Sequence, residues 1–307
     1  MKISSQYYQV SLATILATIL GCGSKSSPSN SPISNGPPSI NNTPAKMEAA
    51  NSREVKVDKP NESGFAKICI RNGDIYQEGI VDAEGNEVVQ PRSRMGVNDI
   101  TGNLALLLVE NKFLFVPLDK GFVSSKDLEE VNGFQYAEPY SCGLALVSVD
   151  DRRFYLDANF EKAFDMDFEF AESFHHDRAW VKEDDRHRII DTQGKTVAEL
   201  NYDQVSPQSP RCWQVIKIEY KKYLSGFVDL DGKLVTELIY DEVGYYDRDV
   251  KRIRVGVNDQ YGFLDENAKV VIPVKYEYAE PFDRGKARVM LNGRTFFIDP
   301  DGMEVAE

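Results

Sequence analysis

The side chains best suited to catalysis or metal binding are sparse in this sequence. Its three histidines are His175, His176 and His187, and the first two precede Asp177 in a segment that we expect to be a loop. A metal or catalytic role for this pair is one interpretation, and an exposed turn is the other. No Ser or Cys lies in a recognisable nucleophile setting, so the sequence supports no catalytic triad.

The cysteines are equally uninformative about chemistry. They are Cys22, Cys69, Cys142 and Cys212, and the last three lack the short spacings of a metal site. An exported protein permits disulfides, but three is an odd number. We therefore expect buried free thiols, and the sequence predicts neither a bound metal nor a cofactor.

Two acidic stretches resemble the beginning of a calcium-binding loop. They are residues 229–232 (DLDG) and residues 299–302 (DPDG). A complete loop needs a Glu six residues after this Gly, but that position holds Leu238 in the first stretch and falls past Glu307 in the second. Turn chemistry explains both stretches, and residues 183–185 (EDD) are interpreted as a solvated loop.

These acidic turns belong to a pattern that occurs seven times, which we number as copies one to seven. Each copy has an aliphatic residue on one predicted strand and an Asp at the end of the next. The Asp residues are Asp82, Asp119, Asp157, Asp191, Asp229, Asp265 and Asp299. The aliphatic residues are Ile68, Leu107, Val147, Val181, Val215, Val255 and Val289. Successive Asp residues lie 34 to 38 positions apart, which is typical of a repeat architecture.

The Asp position has a local structural explanation. Asp accepts hydrogen bonds from the backbone amides that follow it, and Gly takes the positive φ that ends a tight turn. Gly follows the Asp by three residues in copies one, four, five and seven. Gly121 comes after only two residues in copy two, and Phe160 and Ala268 replace the Gly in copies three and six. We interpret all seven Asp residues as structural turn residues.

The spacing inside each copy predicts a β-hairpin. The separation from the aliphatic residue to the Asp is 10, 12 or 14, and is always even. An even insertion lengthens both arms equally, whereas an odd one would turn one arm's apolar face outward. The residue two positions before the aliphatic one shares its face and is small in most copies. The residue between them is mixed in chemistry, which predicts a second face that is only partly covered.

Copy six carries a family resemblance. Residues 260–282 (QYGFLDENAKVVIPVKYEYAEPF) resemble the bacterial WG repeat, which is named for an aromatic–Gly pair before a strand that ends in Asp. Tyr261 and Gly262 match that pair, while Gly79 and Gly226 keep the Gly without the aromatic residue. The resemblance covers residues 53–307 and implies an all-β array that offers a binding surface and no reaction.

The length of the unit suggests how the copies assemble. About 36 residues with up to four antiparallel strands suit a propeller blade. Seven tandem antiparallel repeats would suit a propeller-like ring, which has no free edges. An open β superhelix, or solenoid, is the alternative.

The beginning of the chain predicts an exported lipoprotein. Residues 10–20 are mainly apolar but too short to span a bilayer, so we interpret residues 1–21 as a signal peptide. Cys22 follows Leu-Gly and resembles the acylated Cys of bacterial lipoproteins, which implies lipid anchoring to the cell envelope, at the outer membrane if the host has one. A cytosolic chain that keeps this segment and a secreted chain with unmodified Cys22 are the alternatives. Residues 22–52 are rich in Ser, Pro and Asn and predict a disordered tether before the repeat domain, residues 53–307.

The charge and the repeats together suggest a binding function. A net charge of −13 argues against a nucleic-acid partner, and the absence of a catalytic constellation argues against an enzyme. We expect a membrane-anchored binding or scaffold protein, facing the surface or the periplasm, with an unidentified protein partner. An envelope hydrolase acting on a glycan or peptide, and a purely structural envelope component, are the alternatives.

Several aromatic residues are candidates for contact with that partner. Tyr220 and Tyr223 lie at the tip of the longer hairpin of copy five, and repeat proteins tend to place insertions on the binding face. Tyr245 and Tyr246 lie in an aromatic corner of copy six, and Trp180 is predicted on the less covered face. Trp213, in contrast, is expected to fill the core.

Overall fold

The structure, a computed structural model, describes residues 53–129 and 133–306. The predicted signal peptide (1–21), the acylated Cys22 and the tether (22–52) lie outside these residues. Within them, no helix combines the length and the apolar character that crossing a bilayer requires. The chain divides into two compact units, one that ends at Pro139 and one that begins at Tyr140.

The first unit contains copies one and two. Its strands are β1 (Arg53–Val57), β2 (Ala66–Asn72), β3 (Ile75–Val81), β4 (Glu87–Arg92), β5 (Met95–Thr101), β6 (Leu104–Val109), β7 (Lys112–Pro117) and β8 (Tyr136–Ala137). Strands β1 to β4 form one antiparallel sheet and β5 to β7 another, each in chain order. A 3-10 helix (Leu118–Lys120) and a one-turn α-helix, α1 (Ser125–Glu129), follow β7.

The second unit contains copies three to seven. Its strands are β9 (Ala145–Val149), β10 (Arg152–Leu156), β11 (Phe170–Ala171), β12 (Arg178–Glu183), β13 (Arg186–Asp191), β14 (Thr196–Leu200), β15 (Gln204–Ser209), β16 (Cys212–Glu219), β17 (Lys222–Asp229), β18 (Glu242–Asp247), β19 (Arg252–Val257), β20 (Gln260–Leu264), β21 (Val270–Tyr276), β22 (Tyr278–Ala279), β23 (Ala287–Leu291), β24 (Arg294–Ile298) and β25 (Glu304–Val305). Strands β9 and β10 pair with each other, and the later sheets are β11–β14, β15–β17, β18–β21 and β22–β25. The all-β prediction is therefore confirmed.

Every copy forms the predicted β-hairpin. The hairpins are β2–β3, β6–β7, β9–β10, β12–β13, β16–β17, β19–β20 and β23–β24. In all copies but the second, the aliphatic residue pairs with the residue three positions before the Asp. Val255, for example, pairs with Gly262, and Asp265 follows. The longer arms of copies one and five keep this register, because each arm grows by the same number of residues.

Copy two departs from this register. Leu107 pairs with Leu114, so the position equivalent to the Asp of the other copies is Pro117. Asp119 lies two residues further on, inside the 3-10 helix. The assignment of Asp119 to the repeat was wrong, because the two extra residues lie after the hairpin and not in its arms. Spacing alone could not distinguish these two positions.

Six of the hairpins end in two-residue turns with both residues at positive φ. The pairs are Glu110-Asn111, Asp150-Asp151, Asp184-Asp185, Tyr220-Lys221, Asn258-Asp259 and Asn292-Gly293. Such turns match the right-handed twist of the strands that they join. Asn, Asp and Gly tolerate this conformation best, and among the six only copy five places an aromatic residue there.

Both faces of the hairpins are covered in copies two, three and four. The seven aliphatic residues and the seven residues two positions before them are all buried, as predicted. The prediction of a partly covered second face was wrong for copies two, three and four, since Leu106, Leu146 and Trp180 are buried too. In copies six and seven the equivalent residues, Arg254 and Arg288, are not buried. The residue type at this position did not reveal that a neighbouring sheet packs on that face.

The apolar cores lie between neighbouring copies. Within the second unit, Trp180 and Ile189 of copy four share a cluster with Trp213 and Val215 of copy five. Similar clusters join copies three and four, five and six, and six and seven, and one joins copies one and two in the first unit. Each copy thus buries its faces against its neighbours, as in other repeat proteins.

Candidate functional site

Six of the seven repeat Asp residues have the same set of hydrogen bonds. Oδ1 of Asp265 accepts the backbone N–H of Asn267 at 2.8 Å and that of Lys269 at 2.9 Å. Equivalent pairs of bonds form at Asp82, Asp157, Asp191, Asp229 and Asp299. An oxygen that accepts two amides organises the turn, so these carboxylates serve the backbone. This geometry also accounts for the two calcium-like stretches, which lie at Asp229 and Asp299.

The residue three positions after each of these Asp residues has positive φ. Four copies place Gly there, with φ between 77° and 86°, whereas Phe160 and Ala268 adopt φ values of 61° and 60°. The backbone conformation of the turn is thus the same with or without the Gly. The Asp hydrogen bonds hold this conformation in the copies where a Cβ disfavours it.

A second set of acids, in the Tyr-acid pairs, fixes the tips of the hairpins. Asp241 accepts the backbone N–H of Asn258 at 2.8 Å, and Glu277 accepts that of Asn292 at 2.8 Å. In copy five, Asp203 accepts the N–H of Ile218 at 2.8 Å. Sequence reasoning found these pairs but missed their role, because each acid reaches a backbone amide that lies 15 to 17 residues later.

The Gly of the aromatic–Gly pair is needed for close packing of the backbone. A Cβ at Gly262 would lie 2.6 Å from the carbonyl oxygen of Ile272, and one at Gly79 would lie 2.7 Å from that of Val89. The next strand passes too close for any side chain at these positions. Tyr261 beside Gly262 contributes its ring to a cation–π contact with Arg254, 4.9 Å from the ring centroid.

Among the residues that the structure describes, the histidines and cysteines form no single cluster, although the Cys142 sulfur accepts the backbone N–H of Asp177, next to His176, at 3.4 Å. His175 and His176 are exposed in a turn, whereas His187 is buried on β13. Cys69, Cys142 and Cys212 are free thiols, and of these three only Cys212 is buried, since Cys69 is half-buried and Cys142 is exposed. Burial raises the pKa of the Cys212 thiol to about 11. The prediction of buried thiols was therefore correct for one cysteine of the three.

Trp180 is not a surface residue. Its side chain is 5% exposed and stacks on the imidazole of His187, so its assignment as a partner contact was wrong. Trp213 is buried as expected, and its indole N–H donates to the carboxylate of Glu172. The same carboxylate accepts the backbone N–H of Trp180 at 3.2 Å. Glu172 therefore links copies four and five across a largely apolar core.

Copy four brings three acidic side chains together. Oxygens of Glu169, Glu183 and Asp184 lie within 4.8 Å of one another. Glu183 already binds Arg152 at 2.7 Å and accepts the backbone N–H of Glu169 at 3.0 Å. The Glu183 carboxylate is therefore already occupied by donors of the protein.

The tip of the copy-five hairpin, residues 217–223, exposes both apolar and basic side chains. Tyr220 is 99% exposed, and Ile218 lies opposite Tyr223 in the ladder with 40% and 57% exposure. Tyr220 forms no hydrogen bond, ion pair or ring contact with any residue that the structure describes. The tip therefore presents a phenol ring next to an exposed cross-strand apolar pair.

The charges of this tip oppose those of the whole protein. Lys217, Lys221 and Lys222 accompany a single acid, Glu219, whereas the chain carries a net charge of −13. Asp203 lies 3.6 Å from Lys217 and compensates it. No ion pair forms at Lys221 or Lys222 among the residues that the structure describes. The tip is thus locally basic on an acidic protein.

Tyr245 and Tyr246 do not lie at a hairpin tip. Tyr246 pairs with Ile253, five residues before the turn at Asn258, whereas Tyr220 is itself a turn residue. Tyr246 is half-buried, and its hydroxyl donates to Glu266 at 3.3 Å. Tyr245 is 99% exposed on the same irregular strand. The predicted partner residues therefore separate into the copy-five tip, an isolated Tyr245 and the buried Trp180.

The comparisons with known proteins support a WG repeat protein. The family model described as "WG containing repeat" matches residues 154–186, 226–260 and 261–294. No curated protein matches the chain.

Solved structures resemble the chain at low sequence identity. The structure titled "Crystal structure of the eukaryotic initiation factor" has a TM-score of 0.45 at 13% identity, over 85% of this chain and 78% of that one. Hsv2p of Kluyveromyces lactis has a TM-score of 0.39 at 12% identity, over 80% and 91% of the two chains. The Dos1 propeller has a TM-score of 0.33 at 13% identity, over 78% and 76%.

Proposed function

We propose that this chain is an exported, lipid-anchored binding protein of the bacterial cell envelope. Acylated Cys22 holds it at the membrane, which is the outer membrane if the host has one. The segment from 22 to 52 tethers the repeat region, residues 53–307, and that region binds a protein partner. Two observations support this proposal. The N-terminal segment resembles that of bacterial lipoproteins, and the acidic turn residues of the repeats accept hydrogen bonds from backbone amides.

The conformation and exposure of Tyr220 carry this proposal. The residue has a φ of 46°, and a left-handed conformation costs a residue other than Gly roughly 1–2 kcal/mol. Its ring makes no stabilising contact with the residues that the structure describes, so the fold alone gives no reason for an aromatic residue there. Strained, exposed residues of this kind concentrate at functional sites. Tyr is also enriched among the residues that dominate protein–protein binding.

The charge of the tip indicates the chemistry of the partner. Lys221 and Lys222 are uncompensated beside Tyr220 and Tyr223. Complementary charge speeds association and discriminates between partners. We therefore expect the partner to present acidic side chains around an apolar patch that accepts the Tyr220 ring.

A crosslinking pull-down from an envelope extract tests this proposal. Wild-type protein should recover a specific partner, and Tyr220→Asn should reduce the recovery at least tenfold, because Asn suits the turn but lacks the ring. Tyr245→Asn is the matched control, since Tyr245 is equally exposed and lies outside the tip. Recovery of nothing above background, or an equal loss in both variants, would contradict the proposal.

The lipid anchor has its own test. Cells that express the chain and grow with radiolabelled fatty acid should label the wild type and the Cys142→Ala variant. Cys22→Ala should abolish the label. Persistent labelling of Cys22→Ala would disprove acylation at this residue. It would not bear on the proposal that the repeat region binds a protein partner.

We also infer that the seven copies close into a ring. Each copy contributes the same hairpin, and a closed ring of such copies has no free edges, unlike an open superhelix. Small-angle scattering of residues 53–307 should give a radius of gyration near 18 Å, as expected for a compact chain of about 255 residues. A markedly larger radius would favour the superhelix.

We do not adopt the hydrolase alternative. A hydrolase acting on a glycan or peptide would take its carboxylates from the repeat Asp residues, six of which hold their own turns. A purely structural envelope component would instead show high copy number and regular assembly. A low copy number of this protein, together with recovery of a specific partner, would favour a binding protein over a structural component.

A further inference from the structure

The first unit contains a cavity with a volume of about 720 Å³. It lies where the hairpin of copy two meets strand β3 of copy one. The residues that matter for its chemistry are Tyr76, Arg94, Met95, Leu108, Glu110 and Asn111. Its volume falls within the range of small-molecule sites.

The cavity is lined by one positive and one negative side chain, Arg94 and Glu110. Glu110 is bound by Arg92 at 3.2 Å, and Arg92 also donates to the carbonyl of Ser125 at 3.1 Å. Arg94 is exposed and forms no ion pair with the residues that the structure describes. One guanidinium therefore remains uncompensated at the rim. Its planar array of donors suits a carboxylate, which it can bind through two parallel hydrogen bonds.

The other large side chains of the cavity are mainly apolar. Met95 is buried, Leu108 is half-buried, and the ring of Tyr76 is 51% exposed. The Tyr76 hydroxyl donates to Glu78 at 2.9 Å, which fixes the ring. Lys67 lies 2.6 Å from Glu78 and neutralises its charge. The Tyr76 ring therefore offers a flat apolar surface, and the charges of Glu78 and Lys67 next to it cancel.

The rim of the cavity is built from strained turns. Arg94, Glu110 and Asn111 have φ values of 58°, 49° and 70°. The Glu110 N–H donates to the carbonyl of Arg94 at 3.2 Å and joins the two turns. The Glu110-Asn111 turn is one of the six two-residue turns described above, and its hydrogen bond to Arg94 positions the arginine at the rim.

We propose that this cavity binds a small organic acid, in which a single carboxylate is carried on an aromatic or apolar body. The carboxylate pairs with Arg94, and the body lies against Tyr76, Met95 and Leu108. The site lies in a different unit from Tyr220 and does not depend on the protein partner proposed above. It gives the chain a second, small-molecule function.

Calorimetric titration of the full-length protein tests this proposal, with 3-phenylpropionate and its neutral amide as probes. The acid should bind, and the amide should bind at least tenfold more weakly. Arg94→Asn should weaken binding of the acid at least tenfold, because Asn keeps the left-handed turn but removes the charge. Tyr76→Leu should weaken binding of both probes, since the flat ring is lost.

Arg284→Asn provides the matched control. Arg284 is also an exposed arginine with positive φ, at 48°, but it lies in the second unit. Its variant should bind the acid like the wild type. Absence of binding by the wild type, equal binding of acid and amide, or an equal loss in the Arg94 and Arg284 variants would overturn the proposal.

Discussion

The indole of Trp180 stacks on the imidazole of His187, with ring centroids 5.6 Å apart and planes inclined by 20°. The Trp180 Nε1–H donates to Nδ1 of His187 at 3.3 Å. An indole nitrogen can only donate, so this bond requires Nδ1 to be unprotonated and the imidazole to be neutral. The pair lies in the core that joins copies four and five.

The His187 side chain should make stability depend on pH. Burial holds its pKa below the ordinary value, with a further contribution from Lys182. The unfolded chain therefore binds the proton more readily, and stability should fall as the pH drops below about 6.5. Denaturant titration at pH 7.5 and pH 5.5 should show a larger loss for the wild type than for His187→Phe. The exposed His176→Phe variant should behave like the wild type, and equal losses in all three would refute this role.

The Asp turns should contribute measurably to stability. Asp265→Ala removes the oxygen that accepts two amides and should cost about 1–2 kcal/mol. Asp265→Asn keeps an acceptor and should cost less. Asp119→Ala should change the free energy of unfolding by less than about 0.5 kcal/mol, since Asp119 lacks this geometry. Denaturant unfolding measures all three, and a cost at Asp119 equal to that at Asp265 would argue against the register described above.

Two turn glycines should differ in their response to alanine. Gly85 has a φ of 86° and open space around its absent Cβ, so Gly85→Ala should cost only the backbone strain, about 1 kcal/mol. Gly232 has a φ of 78°, and a Cβ there would lie 2.5 Å from the Cβ of Ala198. Gly232→Ala should therefore add a packing cost of roughly 1–3 kcal/mol. Similar unfolding midpoints for the two variants would contradict this difference.

Replacement of Tyr220 should stabilise the fold while it removes binding. Tyr220→Asn relieves the left-handed strain and should raise the free energy of unfolding by about 0.5–1 kcal/mol. Tyr223→Asn, at a position with extended backbone, should bring no such gain. Thermal and denaturant unfolding of the purified variants check this expectation, and a destabilised Tyr220→Asn would mean that the ring supports the fold.

The three cysteines of the repeat region should react at very different rates. Cys142 is exposed, whereas Cys212 is buried and its thiol has a pKa raised to about 11. Since the thiolate is the reactive species, Ellman's reagent should modify Cys142 first and Cys212 only after denaturation. Cys142→Ser should abolish the fast phase. A fast phase that survives this substitution would assign the accessible thiol elsewhere.

The sequence by itself determined the repeat, the hairpin within it and the residues that bury its faces. These features follow from local rules: strands alternate their faces, so Ala145 and Val147 must share one side. An Asp followed by Gly favours a turn wherever it occurs. Such signals need no knowledge of the rest of the chain.

Only the tertiary structure decided which module packs on which face. Trp180 is buried because copy five covers it, and no property of its own strand predicts that neighbour. In copy two, only the pairing of the strands shows that Pro117, and not Asp119, occupies the position of the repeat Asp. The cavity beside Arg94 could not be predicted from the sequence, because its walls come from turns and strands of two different copies. Contacts between modules are long-range, and the local pattern of residues does not encode them.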